Sequence, residues 1–159
     1  MTIDTFSKLA EPTIEKLASM RLTGLKAFHA DPGSIPAQWG QFAPHIPVLQ
    51  PKNCVTYGIC WMKSSGGEDY MCAGEAANTA DLLPDFTVET LPPMTCAVFF
   101  HAGHVSAIHE TVDAIFTHWM PASGRKPLPD GPTLIERYDR RLNPETGTGG
   151  FDILIPLEE

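Results

Sequence analysis

The sequence predicts an α+β domain. A β-α-β-β unit occurs twice with pseudo-twofold symmetry, and its antiparallel sheets carry two helices packed on one face around a central groove. Three observations predict it. Apolar runs of strand length alternate with two stretches of helical period. The order strand, helix, hairpin recurs after about half the chain, a period too long for a solenoid. Finally, 13 glycines and 15 prolines among 159 residues place turns between short elements. One domain spanning residues 1–159 is expected, and the chain is long enough to bury a core.

The elements follow in order. Residues Met20–His29 read as a strand, whereas the stretch from Thr13 that precedes them reads equally as strand or helix. Asp31-Pro32-Gly33 is turn chemistry, and Ser34 can cap a helix marked by Ile35, Trp39, Phe42 and Ile46 and ended by Pro44 and Pro47. Cys54–Met62 and Tyr70–Ala76 form a hairpin about Ser64-Ser65-Gly66-Gly67. In the second half, Thr95–His101 is a strand, and Ile108, Val112, Ile115, Phe116 and Trp119 mark one helical face that Pro121 is expected to stop. Thr133–Tyr138 and Phe151–Leu157 are the last strands.

Composition excludes several functions. The chain has 11 basic and 19 acidic residues and a net charge of −8, which disfavours phosphate neutralisation on nucleic acid and docking on an anionic membrane. No apolar stretch approaches the roughly 20 residues of a membrane helix, and the first eight residues lack an export signal. Cys54, Cys60, Cys72 and Cys96 include no Cys-x-x-Cys pair and read as reduced thiols. A cytoplasmic protein is expected, with no cofactor.

The most informative segment is Gly131–Asp139. On a strand, Leu134, Glu136 and Tyr138 share one face. A carboxylate between a leucine and a tyrosine either pairs with Arg125 or Lys126 at the surface or sits in an apolar place suited to a cation. His101, His104, His109 and Glu110 lack the spacing of a helix-borne metal pair, so structural or solvated histidines are expected. Ser64–Gly67 lacks the lysine and the following helix of a phosphate loop.

Four further segments complete a pattern: Ala97–Gly103, Ile115–Gly124, Gly131-Pro132 and Glu136-Arg137-Tyr138. Together with Tyr57–Cys60 and Gly67–Glu75, they resemble the GyrI-like small-molecule-binding family, the module that serves as effector-binding domain in AraC-type regulators. The resemblance runs from about Thr13 to Leu157. It implies a groove at the pseudo-twofold seam that takes lipophilic cations, with Glu136 as counter-charge, Tyr138 on its face and Trp119 as the aromatic at the end of the second helix. Leu134 joins them by alternation, and Trp61 and Tyr70 are the expected aromatics from the first hairpin. No helix-turn-helix accompanies the module, so a stand-alone binder without direct nucleic-acid contact is expected. The resemblance leaves two alternatives: a hydrolase in which Glu136 activates water, Tyr138 donates and Glu75 or Glu89 supplies a second carboxylate; or an interaction module whose protein partner is a transcription regulator or gyrase.

Overall fold

The structure is a computed structural model that describes residues 9–76 and 85–159. The first eight residues, read above as lacking an export signal, lie outside it. The first half runs β1 (Thr13–Leu17), β2 (Met20–His29), α1 (Ile35–Phe42), α2 (Ile46–Leu49), β3 (Thr56–Met62) and β4 (Glu68–Glu75). The second repeats this as β5 (Thr87–Leu91), β6 (Met94–His101), α3 (Ile108–Ala114), α4 (Met120–Ser123), β7 (Leu134–Tyr138) and β8 (Phe151–Leu157). Each half therefore adds a leading strand to the expected β-α-β-β unit.

All eight strands join one open antiparallel sheet in the order β1-β6-β8-β7-β3-β4-β2-β5. That order reads the same from either end once the halves are exchanged, so a pseudo-twofold axis runs between β3 and β7, where Ile59 faces Ile135. The leading strands cross over: β1 pairs with β6 of the second half and β5 with β2 of the first.

The connections force the sheet to curl. β1 reaches β2 through Ala18-Ser19, and β5 reaches β6 through Pro92-Pro93. Each link spans at most about 11 Å. In a flat sheet the same strands would stand six places apart, about 29 Å. The sheet therefore wraps around one end, where Ser19 Oγ donates to the Leu91 carbonyl at 3.1 Å.

Two cores result. The helices cover one face, where Phe42, Ile115 and Met120 pack on Tyr70, Phe99, Leu134, Phe151, Ile153 and Ile155. The inner face of the curl holds the second: Leu22, Tyr57, Ile59, Met71, Leu91, Met94, Ile135 and Leu154. Strands buried on both sides read as continuous apolar runs, as Thr95–His101 does.

The repeat is visible in side chains as well. Phe28-His29 ends β2 and Phe100-His101 ends β6. His29 bonds Ser34 Oγ at 2.6 Å and the Gln38 amide oxygen at the start of the first helical segment. His101 bonds Thr111 Oγ1 at 2.7 Å and the His104 carbonyl at 2.8 Å. Lys63 lies 5.8 Å from the Phe28 ring centre and Arg141 5.0 Å from that of Phe100.

The second helical segment departs from expectation. Pro121 does not stop it, because a π-helical stretch at 115–119 intervenes and the chain turns once more to Ser123. The wider turn accommodates a ring that cannot donate a hydrogen bond. Gly124, in the left-handed region at φ +73°, ends it.

Candidate functional site

Glu136 lies on β7 beside the pseudo-twofold axis and faces the helix-covered core. It is only 8% exposed, and no basic side chain among the described residues pairs with it. Its Oε1 accepts from the Tyr138 hydroxyl at 2.8 Å and also from the Tyr70 hydroxyl. Tyr70 stands two strands away on β4, and its reach depends on the strand between. Gly58 of β3 is the cross-strand partner of Glu136, and a Cβ there would fall 2.0 Å from the Tyr70 oxygen and 2.5 Å from Glu136 Oε1. Its bare backbone is the gap through which the two groups meet.

The aromatic setting extends outward. Trp39 of α1 donates its Nε1 hydrogen to the Tyr70 oxygen at 3.0 Å. The Trp39 ring meets Tyr138 edge-on, with centres 5.4 Å apart, and Tyr138 leans on Phe151 at 4.7 Å. Trp39 and Tyr138 are both half-buried, so they present ring surface above a carboxylate that is almost wholly enclosed.

Burial dominates the electrostatics. Desolvation pushes the Glu136 carboxyl up from 4.5 to about 7, against the two tyrosine hydrogen bonds that favour its charged form, with Glu68 adding to the rise. Tyr70 and Tyr138 are raised above the ordinary phenol range by burial, and then by the Glu136 charge. Burial likewise raises the Cys60 and Cys72 thiols. Cys60 Sγ lies 3.2 Å from Glu68 Oε2.

Of the predicted site residues, Leu134, Glu136, Tyr138 and Tyr70 come together on this face. Trp119 shares the face but packs edge-on against Phe99 of β6, 5.1 Å between centres and two strands from β7. Trp61 is corrected by the register: it pairs with Asp69, faces the inner side of the curl and lies under the Lys26 ammonium at 4.4 Å. Glu75 and Glu89 share the face of Leu22, away from Glu136, and Glu89 pairs with Lys26 at 2.8 Å. The carboxylate that acts on Glu136 is Glu68 instead. The sequence reading missed Glu68, Gly58 and the polar contact of Trp39. The alternation Glu68-x-Tyr70-x-Cys72 carried the signal for the first.

A separate cavity of about 280 Å³ opens near the end of β6, lined by Phe100, His101, Glu110 and Thr111 among others, and contains none of the predicted site residues. No helix among the described residues is long and apolar enough to cross a membrane.

Residues 10–158 match the GyrI-like small molecule binding domain, and the chain belongs to that family. It is 29% identical over 141 residues to the transcriptional regulator BrlR of Pseudomonas aeruginosa, covering 86% of this chain and 51% of that protein. The chain thus spans about half the length of the curated relative it matches. Its fold is similar to that of SAV2435 in complex with tetraphenylphosphonium, with a TM-score of 0.77, 21% identity and 94% of each chain covered. It is also similar to EcmrR in a DNA complex, with a TM-score of 0.69, 12% identity, and 94% of this chain against 57% of that one.

Proposed function

We propose that the chain binds hydrophobic cations, with Glu136 as the counter-charge and Tyr138, Tyr70 and Trp39 as the surrounding rings and donors. One observation carries this reading: an almost fully enclosed carboxylate whose described partners are neutral hydroxyls. Such a group is costly to ionise, and an arriving cation offsets that cost. The charge-assisted contact is worth about 1.5–3 kcal/mol and a desolvated cation–π contact up to about 2 kcal/mol. Leu134 lies two residues along the same strand face, and Trp119 lines the more distant part of it. The fold likeness to a protein seen with tetraphenylphosphonium is in keeping with this ligand class.

The test is titration of wild type and Glu136→Gln with tetraphenylphosphonium and with neutral triphenylphosphine oxide. The cation is expected to lose at least tenfold in affinity in the variant while the neutral compound changes little. Equal loss of both, or no binding of the cation by wild type, rejects the reading.

A further inference from the structure

The two oxygens of Glu136 are not equivalent. Tyr70 accepts the Trp39 indole hydrogen at 3.0 Å, which directs its own proton to Glu136 Oε1. Tyr138 donates to the same Oε1 at 2.8 Å. Oε2 receives no hydrogen bond from any described residue. Oε1 is therefore occupied by two hydroxyls, while Oε2 is bonded by no described residue. A carboxylate offers about two acceptor positions per oxygen, and here one oxygen has spent both.

We infer that Oε2 is the atom that meets the ligand, and that the site favours lipophilic ammonium ions bearing an N–H over quaternary cations of the same shape. This rests on the reading of Glu136 as counter-charge and names the subclass of cation. A quaternary nitrogen is screened by carbon on every side and gains charge attraction alone. A protonated amine gains that attraction and also places a hydrogen on Oε2, forming an N–H···O bond about twice as strong as a neutral one. The ammonium gives up a water contact on entry, and Oε2 replaces it. Trp39 acts as a positioning residue here: by holding the Tyr70 proton on Oε1, it leaves Oε2 to the ligand.

The experiment is calorimetric titration of the wild-type protein at pH 8 with a matched pair. One ligand is a diphenylmethyl-substituted N-methylpiperidine as its protonated tertiary amine, and the other is its N,N-dimethyl quaternary salt. The protonated amine is expected to bind about five- to tenfold tighter, and Glu136→Gln to weaken both and erase the difference. Equal affinities, or tighter binding of the quaternary salt, with both still dependent on Glu136, overturn the assignment of Oε2 and leave the counter-charge reading standing. Binding of neither ligand overturns both.

Discussion

Gly58 and Glu136 are cross-strand partners with only one side chain between them, and the Tyr70 hydroxyl occupies the space the glycine leaves. Gly58→Ala is therefore expected to separate Tyr70 from Glu136. Overpacking of this kind costs about 1–3 kcal/mol. Urea unfolding should show that loss, and cation affinity should fall with it. An alanine variant with wild-type stability and binding would show that the strands can part there freely.

Glu136 opposes the stability of its own fold at alkaline pH. Its carboxyl is raised from 4.5 to about 7, so the folded state holds a proton that the unfolded state has released across that interval. Stability therefore falls as pH rises from about 4.5 through 7, by about 3 kcal/mol in all. Glu136→Gln removes the penalty and still accepts from both tyrosines. Denaturation at pH 8 should find the variant more stable than wild type by about 2–3 kcal/mol, with little difference at pH 4.

The same titration governs binding. A cation selects the ionised carboxylate, so affinity should be full at pH 8 and decline as pH falls through about 7. Near neutrality, binding should release a fraction of a proton, read as a buffer-dependent heat. Affinity for tetraphenylphosphonium that is flat between pH 5 and 8 would contradict the role given to Glu136.

Tyr70→Phe deletes a donor that favours the charged form of Glu136 and strands the Trp39 indole hydrogen. The carboxyl should move further up, shifting the midpoint of cation binding to higher pH than in wild type. Loss of the two hydrogen bonds should cost about 1–3 kcal/mol of stability. Tyr138→Phe should shift the midpoint the same way without disturbing Trp39.

Gly67 and Gly150 test the duplication. Both have positive φ, at +75° and +87°, and a Cβ on either would lie 2.8 Å from the carbonyl of His29 or His101, beside Phe28 or Phe100. Alanine at either position should destabilise by at least about 1 kcal/mol, and the two losses should match within a factor of about two. A cost at one position alone would show that the halves do not share this turn.

The strands and their doubling were legible because glycine and proline punctuate them and because the apolar runs are strong. The face shared by Leu134, Glu136 and Tyr138 followed from alternation alone. Trp61 was misplaced because β3 is buried on both sides, and a run such as Tyr57–Trp61 has no polar phase to reveal which residues look which way. β5 went unread since its five residues are mostly polar and half-exposed at the sheet edge. β1, left open between strand and helix, is similarly short and solvated. The meeting of Tyr70 with Glu136 depends on register across three strands and on a missing side chain at Gly58, neither of which periodicity within a strand encodes. The repeated Phe-His pair was in plain view and is the simplest mark of the duplication.

The exchange of leading strands makes the two halves mutually dependent. A polypeptide cut to one half would carry its first strand with no ladder to join and would leave its second strand bare along one side. Two such fragments brought together satisfy both needs at once. A lone first half is therefore expected to self-associate into a symmetric pair, in which Gly58 and Cys60 of each copy would line the axis and the acid that the second half alone provides would be missing.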